Sequence, residues 1–270
     1  MAEEMKYHSV FACPHCGLSF RETTSGVQCP NNHSFDRARE GYLNLLVAGR
    51  ISAGTVSGDT PESLAARRRF LSTGAYNPIA QAVADTIGEV DGSVLDIGCG
   101  EGSYLSHIRS PHRYGLDIAK RGVQMACKLL PDAQFVVGTA FRLPVIDESC
   151  DAVFSIFAPH SLEEFQRVLA PCGQWVTVTP GAHHLHQMRP KRDDNILERE
   201  RRRDDPPTHA ANARRLQFDL DLTDESAHDL FSMTPLVWQT AADAAPVTHV
   251  SVDVWVASGF KSKRECNESF

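Results

Sequence analysis

The run Val94-Leu95-Asp96-Ile97-Gly98-Cys99-Gly100-Glu101-Gly102 decides how the rest of the chain reads. Its first residues have the character of a short buried strand. Three glycines at alternate positions then form a turn in which no side chain blocks the backbone. Such a turn lets main-chain N–H groups and a small ligand approach each other closely. The spacing differs from the dinucleotide fingerprint, which holds a pyrophosphate at a helix N-terminus. Asp96 closes the strand and Glu101 sits inside the turn. A phosphate would be repelled by that pair, whereas a cationic or zwitterionic ligand would not. Farther on, Asp117 ends the run Tyr114-Gly115-Leu116-Asp117, where a second parallel strand would present a carboxylate to a ribose diol. Alone, an acid at a strand end is as readily a solvated turn residue; beside this turn it reads as a ligand for a cofactor.

Outward from this run, the C-terminal side alternates between strand and helix. Strands are expected at 93–97, 113–117, 134–138, 151–157 and 174–179, with helices at about 103–109, 119–130 and 161–169. That alternation predicts an α/β fold with an open, mainly parallel sheet and a ligand crevice at the strand ends. A strand near 214–222, a helix at 224–232 and a strand at 248–257 follow. Upstream, Asn77-Pro78 opens a helix whose Ile79, Val83 and Ile87 share a face. Before it, Thr60-Pro61-Glu62 supplies a capping hydroxyl, a first-turn proline and an acid, and Gly74 stops the helix. The small, Gly- and Ser-rich stretch Val47 to Asp59 reads as a linker. Gly41 to Leu46 reads as a strand or packing segment.

With 270 residues, the chain is long enough for one substantial core and a small extra module. No apolar run reaches the roughly 18 residues of a membrane span. The N-terminus lacks the basic-then-apolar pattern of a signal peptide. A cytoplasmic location is therefore expected, and it favours thiols or metal ligands over disulfides for the eight cysteines. A formal charge of −7 argues against unselective nucleic-acid binding. Any RNA must be held by a local patch. Arg67, Arg68 and Arg69, with Arg37 and Arg39 upstream, supply one where the local sign runs against that of the whole chain. A solvated helix face explains the three adjacent arginines equally well; phosphate contact is the functional alternative.

Near the N-terminus, Cys13-Pro14-His15-Cys16 and Cys29-Pro30-Asn31-Asn32-His33 form two tight pairs. Cys13, Cys16, Cys29 and His33 would satisfy a closed tetrahedral structural zinc site, with Arg21 to Gln28 as a hairpin between the pairs. So short a tract can hardly build its own apolar core, so the metal would supply much of its folding energy. His15 lies inside the first pair and is not expected to bind the ion.

The glycine run resembles the S-adenosylmethionine motif of class I methyltransferases. From Cys13 to about Trp255 the chain resembles the bacterial 23S rRNA guanine-N1 methyltransferases, which include self-resistance enzymes of macrolide producers. The resemblance rests on Phe35-Asp36 after the second pair, Glu40 to Leu46, Arg67 followed by Gly74-x-Tyr76-x-Pro78, the run Phe157-Ala158-Pro159, Thr179 to Leu185, and Ser232 to Trp238. It thins over 187–215. It implies a seven-stranded, mostly parallel Rossmann-like sheet with a small N-terminal zinc-binding module. It also implies S-adenosylmethionine held by Asp96, Gly98, Gly100, Glu101, Gly102 and Asp117, with Ala140 and Phe141 beside the adenine. Pro159, His160 and His184 would border the acceptor base, the two histidines as candidate proton acceptors. A hairpin of large-subunit rRNA would be the partner, with no membrane involved; a homodimer is compatible with this reading. The domain boundaries expected are 1–36 for the zinc module, 37–75 for the connecting segment and Arg-rich helix, 76–258 for the methyltransferase domain and 259–270 for a polar tail. Two alternatives stay open: a class I methyltransferase acting on a small metabolite, and a non-catalytic zinc-containing RNA-binding protein.

Overall fold

A computed structural model describes residues 9–47, 60–189, 203–238 and 247–261. Most of the expected linker 47–59, the centre of the divergent stretch 187–215 and most of the tail lie outside these residues. The chain divides into two compact units. The first comprises residues 1–57, 87–175 and 260–270; the second comprises 58–86 and 176–259.

In the first unit, strands β1 (Arg21–Glu22), β2 (Gly26–Gln28) and β3 (Ser34–Asp36) form a small antiparallel sheet. The larger sheet carries β8 (Cys150–Ile156), β5 (Ser93–Ile97), β6 (His112–Asp117), β7 (Gln134–Val137) and β4 (Leu43–Asn44) in that order. Its pairings β5–β8, β5–β6, β6–β7 and β4–β7 are all parallel. The uninterrupted burial of Val94 to Ile97 and Ala152 to Ile156 is what a parallel sheet covered on both faces demands. Helix α3 (Lys120–Leu129) connects β6 to β7, and α4 (Leu162–Val168) follows β8 with Ser161 as its N-cap. The strand-or-packing stretch 41–46 is thus a strand, an additional sheet edge beside β7.

One helix departs from expectation. The segment 103–109 contains only a 3-10 turn at Leu105–His107. Ser106 Oγ donates to the Ser103 carbonyl, and Ser110 Oγ to the Gly92 and His112 carbonyls. Local serine bonds of this kind compete with helix extension, and Pro111 closes the segment. Cysteine usage also departs in part: Cys13, Cys16, Cys29, Cys99, Cys127 and Cys150 are free thiols, but the exposed Cys172 is disulfide-bonded.

In the second unit, α1 (Pro61–Ser72) starts at Thr60, whose side chain accepts the Ser63 N–H. Helix α2 (Asn77–Ile87) buries Ile79, Val83 and Ile87, as its periodicity predicts. Strand β9 (Leu169–Pro180) runs from the first unit into the second. There β11 (His249–Phe260) lies between β9 and the antiparallel β10 (Asn212–Asp221). Helix α5 (Asp224–Ser232) precedes β11 and packs against α1. Val250, Val252, Val254 and Val256 are all buried along one side of β11.

Candidate active site and metal centre

The glycine run turns as its composition requires. Gly98, Gly100 and Gly102 have φ of 79°, 54° and 89°, a region that side chains disfavour. A Cβ on Gly98 would also stand 2.3 Å from that of Ala158. The N–H groups of Gly98 and Cys99 both donate to the Leu116 carbonyl, at 2.8 and 3.0 Å. Asp117 completes the frame. Its Oδ2 accepts the Gly100 N–H at 2.8 Å and its Oδ1 accepts the Ala119 N–H at 2.7 Å.

Three acids, Asp96, Glu101 and Asp117, are buried around this turn. The Asp96 carboxylate has no hydrogen-bond partner among the described residues. Burial, and then the charges of Asp117 and Glu101, hold its pKa well above the usual carboxylate range. A cation placed here would reverse that penalty, so the donor set suits a sulfonium and not a phosphate. The Cys99 thiol is buried and its pKa is also raised, first by burial and then by Asp117, so it fills space as a neutral group.

After β8, Phe157 has a left-handed backbone (φ 55°), a conformation costing about 1–3 kcal/mol. It redirects the chain so that Ala158 lies over Gly98. Pro159, exposed, and His160, half-buried, follow Ala158 directly. The His160 ring stacks on Phe165, with centroids 5.2 Å apart, and its Nδ1 lies 3.1 Å from the Ala158 carbonyl oxygen. Ala140 is half-buried after β7, and Phe141 is 62% exposed. The following residues are clamped by Arg167, which no local sequence signal marks. Its guanidinium donates to the carbonyls of Leu143 and Val145 and to Glu164 and Asp147, while Glu164 accepts the Leu143 N–H. The hydrogen bonds it donates to Glu164 push the Arg167 pKa upward.

His184 belongs to the second unit. Its Nδ1 accepts the Asp253 N–H at 3.3 Å, and its ring centroid lies 6.4 Å from that of Tyr76. Burial, and then the charge of Arg189, lower its pKa to about 4. Asp253 is a second residue that sequence reasoning missed. It is 1% exposed, accepts two hydrogen bonds from Arg215 and one from the His183 N–H, and leaves no room for a Cβ on Gly181. Burial alone would raise its pKa, but the Arg215 and His183 bonds more than offset that and lower it. Alternation of Val252, Val254 and Val256 puts Asp253 on the opposite face of β11, where an acid carries no signal of burial.

The arginines of the expected RNA patch fall in both units. Arg37 donates to Glu22 and to the Gly41 carbonyl in the first. Arg39 also lies there. On α1, Arg69 is bound to the buried carboxylate of Asp229, and Arg67 reaches the Met233 carbonyl. Arg67 and Arg68 are half-buried.

At the N-terminus, the ligand atoms of Cys13, Cys16, Cys29 and His33 all lie within 4.8 Å of one another. The Cys16–Cys29 sulfur separation is 3.6 Å, and His33 Nδ1 stands 3.4 and 3.3 Å from the sulfurs of Cys13 and Cys29. Tetrahedral zinc with three sulfurs and one nitrogen has edges of roughly 3.5–3.8 Å, so the four residues fit the ion. Each pair is folded by its own backbone: the Gly17 N–H donates to the Cys13 carbonyl, and the Asn32 N–H to that of Cys29. His15 stands outside the group and packs on the His33 ring at 4.9 Å.

Comparison with known proteins covers both regions of the chain. A zinc-ribbon family described as "RlmA, N-terminal" matches residues 11–49, and a "Methyltransferase domain" family matches 95–178. A putative 23S rRNA (guanine-N(1)-)-methyltransferase of Micromonospora griseorubida is 32% identical, covering 93% of this chain and 95% of that protein. The putative 23S rRNA (guanine-N(1)-)-methyltransferase YxjB of Bacillus subtilis is 30% identical, covering 94% and 98%. The 23S rRNA (guanine(748)-N(1))-methyltransferase of Streptomyces fradiae is 29% identical, covering 86% of each chain. The fold is that of a class I methyltransferase using S-adenosylmethionine, with a structural zinc ribbon. Because two of these relatives reach 30% identity or more and align over nearly their whole length, the chain belongs to the family of 23S rRNA (guanine-N1)-methyltransferases.

Proposed function

We propose that this protein transfers the methyl group of S-adenosylmethionine to N1 of a guanine in a hairpin loop of 23S rRNA. The observation that carries the reading is the joining of a zinc ribbon and a glycine-turn domain in one chain, an arrangement matched from end to end in relatives bearing that name. When bound, the cofactor supplies an electrophilic methyl group on a cationic sulfonium. Asp96 and Glu101 contribute buried negative charge toward that cation, and the turn at Gly98, Gly100 and Gly102 lets the main chain approach it. Asp117 spends two acceptor sites on the turn. Asp117 would also face a ribose diol, whose hydroxyls can donate to a carboxylate. Ala140 and Phe141 would lie along the adenine.

Methylation at guanine N1 requires its proton to leave. A carbonyl oxygen can only accept, so the contact of His160 Nδ1 with the Ala158 carbonyl puts a proton on Nδ1, and in the neutral ring the lone pair is then on Nε2. His184 has the opposite tautomer, since its Nδ1 receives an N–H, and a pKa of about 4 makes it a weak base. These arrangements favour His160, beside Pro159, as the proton acceptor and leave His184 as an N–H donor. A base exposed in a hairpin loop costs little to extrude into a pocket. Arg37, Arg39, Arg67, Arg68 and Arg69 would hold the RNA backbone. Arg37 and Arg69 do so only by sharing their guanidinium donors with Glu22 and Asp229. The boundaries 1–36, 37–75, 76–258 and 259–270, a cytoplasmic location and a homodimer complete the proposal.

The test is transfer of labelled methyl to protein-free 23S rRNA, with the product nucleotide identified by mass. Label in 1-methylguanosine at one hairpin is expected. No label, with cofactor binding intact, would overturn the RNA reading and point to a small-molecule acceptor. Replacing His160 by Gln should lower kcat at least about tenfold with little change in KM; an unchanged kcat would remove His160 from the proton path.

A further inference from the structure

The second unit contains a cleft of about 430 Å³ lined by Thr179, Pro180, Trp255, Arg203 and residues 205–209. That volume lies within the range of small-ligand sites, roughly 300–1,000 Å³. Its aromatic residue is held from two directions. The Trp255 indole N–H donates to the Arg203 carbonyl at 2.9 Å, which fixes the ring's orientation. Arg215, the residue directly opposite on β10, places its guanidinium carbon 5.7 Å from the ring centroid. Arg215 is itself immobilised by two bonds to the buried Asp253 and an ion pair with Asp204. The aromatic surface is therefore in place before any ligand arrives.

Charge decides what such a cleft accepts. Within the lining, Arg203 is offset by Asp205, and the charge of Arg215 is already matched by Asp253 and Asp204. A phosphate would gain little here and would face the Asp205 carboxylate. An uncharged aromatic ring would gain a stacking partner, with Thr179, Thr208, His209 and Asp205 near its polar edge and Pro206 and Pro207 as apolar walls. The net charge of −7 adds a reason from the whole chain, since it limits what unselective backbone electrostatics can supply beyond the local arginines. Single-stranded RNA offers a second source of affinity in base stacking, worth about 1–3 kcal/mol per base, or roughly 5- to 150-fold.

We propose that this cleft takes one unpaired nucleobase of the RNA substrate, stacked on Trp255. The proposal rests on the RNA reading given above and adds the place where a base other than the cofactor-side target is gripped. The probe is an unstructured 12-mer ribo-oligonucleotide containing all four bases, titrated against tryptophan fluorescence. Trp255→Phe keeps an aromatic ring in β11 and removes one indole of three. Saturable quenching is expected in the wild type and is expected to be lost in W255F. Binding of the same oligomer should weaken about tenfold or more in Trp255→Ala but stay within about threefold of wild type in W255F. Cofactor calorimetry and zinc content serve as folding controls, and the quenching comparison stands even if W255A does not fold. Unchanged fluorescence at saturating oligomer, or full affinity in a folded W255A, overturns the proposal. Label transfer to rRNA without quenching would defeat the cleft alone. Quenching without label transfer would defeat the methylation reading and leave the cleft standing as a base-binding site.

Discussion

Asp96 and His184 are both perturbed by burial, yet their contributions to stability run in opposite directions with pH. With its pKa raised, Asp96 keeps its proton in the folded cofactor-free protein at pH values where the unfolded chain has lost it. Its stabilising contribution is present below the ordinary carboxylate value and is lost as pH rises through the raised folded value. Asp96→Asn should therefore raise the Tm of the cofactor-free protein at pH 7 by a few degrees, on the order of 1 kcal/mol. The same change should weaken S-adenosylmethionine binding about tenfold or more, because the buried charge facing the sulfonium is gone. Scanning and titration calorimetry read the two effects, and unchanged cofactor affinity would exclude the assigned role. For His184 the folded value of about 4 lies below the ordinary 6.5, so the unfolded state takes up the proton first. Stability should fall as the pH drops from 6.5 toward 4, by up to about 3 kcal/mol. Urea denaturation of His184→Gln should show a flatter slope across that window; an equal slope would mean that another group is responsible.

Between elements, single arginines do the joining. Arg69 ties α1 to α5 through Asp229, Arg215 ties β10 to β11 through Asp253, and Arg167 ties α4 to the segment that follows Phe141. The Arg167 clamp bears on the segment proposed to border the adenine, since Leu143 is held at both its N–H and its carbonyl by the Glu164–Arg167 pair. Arg167→Met keeps the apolar stem and removes every donor. It should leave two backbone carbonyls under-satisfied at a cost of about 2 kcal/mol, and loosen the residues beside the adenine. The expected outcome is a rise of about three- to tenfold in the KM for S-adenosylmethionine, with kcat changed much less. An unchanged KM would make the clamp purely structural.

Within the first unit, the zinc ribbon and the large sheet share backbone hydrogen bonds. The Ala12 N–H donates to the Pro144 carbonyl, the Ile146 N–H to that of Val10, and Leu43–Asn44 forms a sheet edge beside β7. Phe11 packs edge-on against Tyr114 at 5.6 Å, and Tyr42, Leu43 and Leu45 are buried. The ribbon thus reaches the strand-and-loop segment that borders the expected adenine site. Removing zinc with a chelator should abolish amide protection in β1–β3 and raise the cofactor dissociation constant several-fold. Hydrogen exchange, metal analysis and calorimetry would detect this. Full cofactor affinity in metal-free protein would show that the two sites are independent.

Local chemistry carries its own signature in the chain. The glycine turn, the cap at Thr60, the alternation of β11 and the two cysteine pairs are legible because each depends on dihedral preference, side-chain period or ligand spacing within a few residues. The segment 103–109 stops after one 3-10 turn because the side chains of Ser106 and Ser110 bond backbone carbonyls there. Other features carry no local mark at all. The Asp253–Arg215 pair, the Arg167 clamp, the pairing of Leu43 with β7 and the stacking of Arg215 on Trp255 join residues from 20 or more to almost 100 positions apart. Which carboxylate meets which guanidinium depends on the surfaces left once the strands have paired. Those contacts belong to the folded molecule and to no segment of it.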